Sequence, residues 1–147
     1  MPSLFDETSR KAILTRLGAL TPEAKARWGS MDVGKMLCHC SDQLRSALGD
    51  LETAPAKGLY TLAPMKWLII KVMPWPKGVA TATEFFTAEP EAFARDRDAL
   101  IGLIERFAAQ GPTGTFLDHP LFGSLSPDLW SHLAHRHLDH HLRQFGV

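Results

Sequence analysis

The sequence predicts an all-α fold, a four-helix bundle forming one domain over residues 1–147. Three observations carry this. Apolar residues recur at steps of three and four over long stretches, capping residues mark where those stretches start and stop, and the alternating runs of Val, Ile and Thr that would mark strands are almost missing. A chain of 147 residues can bury a core without staples, and 45% hydrophobic with 22% charged residues excludes a disordered or disulfide-dense chain.

The first helix is expected from about Asp6 to Leu17, with Ile13, Leu14 and Leu17 on one side and a stop near Gly18. Thr21 and Pro22 read as a cap and first-turn proline opening a short helical turn that ends before Trp28. Ser30 then caps a second long helix from Met31 to about Leu48, whose stripe runs through Val33, Met36, Leu37, Cys40 and Leu44 and is closed by Gly49. Between Glu52 and Glu89, repeated Pro and Gly predict an irregular insertion over one end of the bundle, its best helical stretch being Met65 to Met73. The third long helix opens at Glu89, Pro90 and Glu91 and stops at Gly111 and Pro112. The fourth has Ser126 as cap, Pro127 in the first turn and Asp128 at the positive end of the helix dipole, and runs to Phe145.

Sixteen basic residues balance sixteen acidic ones, so the broad positive field of a nucleic-acid or anionic-membrane binder is not expected. The amino terminus has no apolar run of signal-peptide length, and the greasiest stretch, Trp67 to Met73, is short and carries Lys71. A cytoplasmic protein is expected. Cys38 and Cys40 lie two apart on a helix, point to nearly opposite sides and cannot bridge, so both read as reduced structural thiols.

Chemistry concentrates in the segment HLAHRHLDHH, where five of the seven histidines lie between His132 and His141. The buried stripe set by Leu129, Trp130, Leu133 and Ala134 continues through His137, Leu138, His141 and Phe145. His137 and His141 therefore stand where core residues are expected. His132 and His135 fall off the stripe toward solvent, and His140 lies at its boundary. Two imidazoles at i and i+4 have β-carbons about 6 Å apart on one face, close enough to share an ion at metal to nitrogen distances of about 2.0 to 2.2 Å. A His-x-x-x-His pair is common on helices by chance. Burial makes this one informative, because two unpartnered imidazoles in a core carry a desolvation cost that a shared cation offsets.

The third ligand must come from another helix, and His39, at the edge of the second stripe, is the natural candidate. Asp42 and Gln43, three and four positions on, are either polar residues at the bundle edge or hydrogen-bond partners of a ligand histidine. Asp139 is rotated about 200° from His137 and reads as surface. His119, in a loop with Pro120 and Gly123, either shapes the turn before the last helix or reaches the mouth of the site, and is not counted as a ligand. Trp67, Trp75, Phe85 and Phe86 either cover the end of the core or line an apolar pocket.

The phrases RWGSMDVGKMLCHC, PWPKG, DHPLFGSLS and HLDHHLRQFG resemble the DinB-like four-helix superfamily over nearly the whole chain, most closely a branch of unknown function. The resemblance implies a divalent metal on His39, His137 and His141; histidine ligands suit zinc, nickel, iron and copper alike, and zinc or nickel is expected here, then iron. It also implies a metal-dependent transferase that attaches a low-molecular-weight thiol such as bacillithiol, mycothiol or glutathione to a small electrophile, although some members are isomerases. Three neutral imidazoles leave a coordination position open, as in catalytic sites. A metal-dependent hydrolase, with Asp42 or His119 as base, and a non-enzymatic protein binding metal or an apolar ligand are the rivals. The expected partner is a small molecule, with neither nucleic acid nor membrane, and an exposed aromatic insertion is compatible with a homodimer.

Overall fold

The structure, a computed structural model, describes residues 1–77 and 88–147. Its regular elements are five α-helices, α1 (Glu7–Ala19), α2 (Val33–Leu48), α3 (Ala63–Lys71), α4 (Phe93–Gln110) and α5 (Pro127–Gln144), with a 3₁₀ turn at Leu59–Thr61. Among the described residues, extended pairing is limited to one isolated bridge between His119 and Gly123. The fold is all-helical as the periodicity predicts, with one helix beyond the four long ones expected. No helix is long and apolar enough to cross a membrane among those described.

Helix α2 packs against α4 and α5, and α1 packs against α5 and α4. Leu37, Leu44, Leu100, Ile104, Trp130 and Leu133 are fully or almost fully buried where these four helices meet. Phe5, Phe107 and Phe116 stack over one flank, with Phe107 and Phe116 ring centres 4.5 Å apart. The fifth helix, α3, falls where the insertion's best helical stretch, Met65 to Met73, is expected, and packs on α5 and the 3₁₀ turn. Pro64, counted as a breaker, sits in the first turn of α3, where its missing N–H costs nothing.

Several helix starts differ from expectation for local reasons. Asp6 caps α1 through the Ser9 amide, and the helix continues past Gly18 to Ala19. The chain around Thr21 and Pro22 forms a turn, Ala24 N–H to Thr21 C=O, without becoming helical. Asp32, and not Ser30, caps α2, its carboxylate accepting the Lys35 N–H at 2.8 Å. Helix α4 begins at Phe93, beyond the expected Glu89 to Glu91, with Asp96 reaching back to the Glu91 N–H at 3.0 Å. Ser126 caps α5 as expected, and Gly49 closes α2 in the left-handed conformation at φ 86°.

Helix α5 is buried on more of its circumference than its stripe suggests, because the first residues of the chain lie along it. The Leu4 N–H donates to Ser131 C=O, and the Ser3 and Ser131 hydroxyls meet at 2.7 Å. That strap covers His132, which is buried and not solvent-facing: its Nδ1–H donates to the Pro2 carbonyl at 2.8 Å and its Nε2 lies 3.2 Å from Asp128. Asp139, expected at the surface, is half-buried and ties α5 to α1 through Arg16 at 2.7 Å.

The caps give a direct test. Asp32→Ala should destabilise the fold by about 1 kcal/mol, whereas Ser30→Ala should change little. Urea unfolding midpoints of the two variants compared with the parent chain would show this difference. A larger loss at Ser30 would contradict the observed start of α2.

Candidate metal centre

Helix α2 contributes His39 and helix α5 contributes His137 and His141, and the packing of α2 on α5 brings the three together. They are 1%, 8% and 6% exposed respectively. Each pair of rings meets nearly edge to face, with centres 4.6 Å apart for His39 and His137, 4.8 Å for His39 and His141, and 4.7 Å for His137 and His141. One nitrogen of each lies within 4.8 Å of the other two, and the His39 and His137 Nε2 atoms approach to 2.8 Å.

The proton on His141 follows from its neighbours. The Trp28 carbonyl can only accept, so Gln144 Nε2 donates to it at 2.8 Å, which leaves Gln144 Oε1 as the acceptor facing His141 Nδ1 at 2.8 Å. His141 therefore carries its proton on Nδ1 and turns the Nε2 lone pair toward the other two histidines. Gly29 makes this possible: its φ is +75°, and a β-carbon there would lie 3.1 Å from Gln144 Nε2. Sequence reasoning missed both residues. Gln144 stands three beyond His141 on the same helical face, which is a legible signal, whereas the approach of Gly29 comes from tertiary structure.

Burial holds His137 and His141 neutral. It pushes His141 down to about 3, helped by repulsion from His39, and lowers His137 well below the ordinary value, with His39 and His141 adding to the effect. The Nδ1 atom of His137 is buried without a hydrogen-bond partner. Three buried rings with converging nitrogens are a donor set suited to a divalent cation. Two nitrogens at about 2.1 Å from one ion would stand about 3.0 to 3.4 Å apart for right or tetrahedral angles, so small ring rotations would bring the present spacing into range. The cluster can hold a metal ion by the chemistry of its donors.

A family model described as "Protein of unknown function (DUF1569)" matches residues 1–146. The chain belongs to the DUF1569 family. No curated protein and no solved structure matches it.

The remaining histidines of this DUF1569 chain have other surroundings. His119 is buried against Trp130 and accepts the Leu121 and Phe122 N–H groups on Nδ1 at 3.0 and 3.3 Å, so it shapes its loop, and burial lowers it to about 3. His135 is half-buried and outside the cluster. His140 is half-exposed beside His141, with its ring 5.6 Å from Trp28 and 6.2 Å from Trp75. Trp75 thus borders the site, while Trp67 is exposed and Phe85 and Phe86 lie outside the described residues.

Asp42 and Gln43 are buried, which overturns their placement at the bundle edge. The Asp42 carboxylate accepts Arg45 at 2.9 Å and the Ala88 N–H at 3.3 Å. Cys38 and Cys40 are buried as free thiols. Burial raises Cys38 to about 11 and Cys40 further still, so neither supplies a thiolate at neutral pH.

Two outcomes follow from this geometry. Alanine at His39, His137 or His141 should abolish stoichiometric metal uptake, alanine at His135 should not, and Gly29→Ala should weaken uptake roughly 10- to 100-fold by displacing Gln144. Calorimetric titration with zinc or nickel would check this, and full uptake by the His141 variant would contradict it. The second outcome concerns pH. His137 and His141, like His119, remain neutral in the folded chain well below the ordinary 6.5, so the unfolded chain takes up protons first as pH falls. Metal-free protein should therefore keep this stability above 6.5 and lose it progressively toward 3, by about 1.4 kcal/mol per pH unit for each such histidine. An unfolding midpoint that stays flat between about pH 7 and 5 would count against neutral buried imidazoles.

Proposed function

We propose that this chain is a DinB-like, divalent-metal-dependent transferase for which His39, His137 and His141 hold the ion and a low-molecular-weight thiol is the nucleophile. The observation carrying this reading is the convergence of three buried imidazoles from two helices, with no carboxylate or thiolate joining them among the described residues. Zinc or nickel fits that set best, with iron next. When bound, such an ion supplies a net positive charge and an open position that favours a thiol in its thiolate form at neutral pH.

The chain's own residues do the rest. Gln144, fixed by the Trp28 carbonyl, keeps the His141 proton on Nδ1 so that Nε2 remains available. Close packing of α2 on α5 excludes water from behind the three rings. The half-exposed indoles of Trp28 and Trp75, either side of His140 and each with a cation over one face, border the rim where a small electrophile would enter. Hydrolysis is less well supported, since the Asp42 carboxylate is engaged by Arg45 and the Ala88 amide and His119 Nδ1 by loop amides.

The test uses protein purified without a histidine tag and loaded with cobalt. Added glutathione, bacillithiol, mycothiol or cysteine should change the cobalt absorption spectrum and release a proton. With epoxides or chloro-nitroaromatics present, conjugation should follow metal occupancy and vanish in His39→Ala. Thiols that leave the spectrum unchanged, with metal-dependent ester or amide cleavage instead, would replace this reading with a hydrolase.

A further inference from the structure

Helix α3 is nearly all surface. Of its nine residues only Ile70 is buried. Of the ten large hydrophobic side chains exposed among the described residues, seven fall between Leu59 and Met73. Trp67 is 51% exposed and Val72 57%. Single exposed apolar side chains are ordinary, but seven within fifteen consecutive residues, from the 3₁₀ turn to just beyond α3, mark a surface that something else covers.

The charge around this face is one-sided. The whole chain balances sixteen basic against sixteen acidic residues, yet residues 53–77 hold Lys57, Lys66, Lys71 and Lys77 and no Asp or Glu. The rest of the chain therefore carries twelve basic and sixteen acidic residues, from 16 − 4 and 16 − 0. Lys71 is balanced by Asp128 of α5 at 3.0 Å, Lys66 donates to the Ser124 carbonyl, and Lys77 lies 4.7 Å from the Trp28 ring centre. After the Asp128 pair, this stretch of chain, which carries Leu59, Tyr60, Leu62, Trp67 and Leu68, keeps a net positive charge.

The end of α3 is also finished in an unusual way. The last carbonyls of a helix normally turn to water. Here Arg136 of α5 donates to the carbonyls of Ile69 at 3.2 Å, Ile70 at 2.7 Å and Met73, and the Trp75 indole N–H donates to Ile69 at 3.0 Å. With those acceptors engaged, this end can enter a water-poor environment at little cost.

We propose that the face formed by the Leu59–Thr61 turn and α3 docks on an anionic phospholipid surface. Apolar side chains enter the boundary between headgroups and acyl chains, Tyr60 and Trp67 sit at headgroup depth, and the lysines meet lipid phosphates and carboxylates. A second copy of the chain fits less well, because a two-fold contact through this face would set lysines against lysines. A protein groove would have to match a protruding helix, whereas a fluid bilayer adapts to one. The inference is independent of the metal centre.

The test is flotation of the full chain with vesicles of pure phosphatidylcholine and of phosphatidylcholine with about one third phosphatidylserine. Binding should favour the anionic vesicles by roughly tenfold or more and should fall as salt is raised. The double variant Trp67→Ser with Leu68→Ser and the variant Lys57→Glu should each weaken it, with circular dichroism unchanged. Brominated acyl chains should quench tryptophan emission in the parent chain and much less in Trp67→Phe. Equal binding to both vesicle types, or no binding, would overturn the proposal. So would a dimer in sedimentation velocity that Trp67→Ser with Leu68→Ser dissociates, or vesicle binding that a soluble polyglutamate removes while the double variant binds like the parent.

Discussion

Three imidazoles occupy a place between α2 and α5 where a closely packed bundle would hold leucines, and much else in the structure accommodates that substitution. A buried histidine must find hydrogen-bond partners or a cation, and protonation beside two like neighbours is doubly unfavourable. The rings answer partly by meeting one another and partly through the chain that runs from Gly29 and the Trp28 carbonyl to Gln144 and His141. The connection between α1 and α2, irregular in itself, is thereby tied to the end of α5. Arg27 N–H to Gln144 C=O at 2.7 Å reinforces the same junction.

The fold class and the three histidines were legible because both rest on helical periodicity, which depends only on neighbours in sequence. The stripe through Leu129, Trp130 and Leu133 continues onto His137 and His141, and the structure buries both. What was not legible depended on segments far away in the chain. His132 looks outward by the same periodicity, yet the amino-terminal strap at Pro2 to Leu4 covers it. Asp42 is likewise fully buried, its carboxylate accepting the N–H of Ala88 from far along the chain. The start of α2 failed for a different reason: Ser30 and Asp32 are both good caps, and only the path of the backbone selects between them.

The insertion shows what proline punctuation can tell. Proline and glycine density between Glu52 and Glu89 suggested irregular chain with one helical stretch, Met65 to Met73, and the helix found there, Ala63–Lys71, starts two residues earlier because a proline in the first turn opens a helix as readily as one in the middle breaks it. Nine residues are too few for a stable isolated helix. Helix α3 persists because α5 supplies Arg136 to its terminal carbonyls and a partner for Ile70, so its stability belongs to tertiary structure and not to its own sequence.

That dependence links the two ends of the molecule's chemistry. Arg136, which fastens α3, directly precedes His137, which faces α2, and their side chains leave α5 in different directions about one helical position apart. Trp75 lies beneath the Arg136 guanidinium, 4.9 Å from ring centre to charge, and reaches His140 beside the histidine cluster. A displacement of α3 would therefore pass to the rim of the site through one cation and one indole, without requiring the four-helix core to move. Close-packed helices resist gradual deformation, so α3, held at the periphery by a few directional bonds, is set apart from the packed helices that fix the three imidazoles.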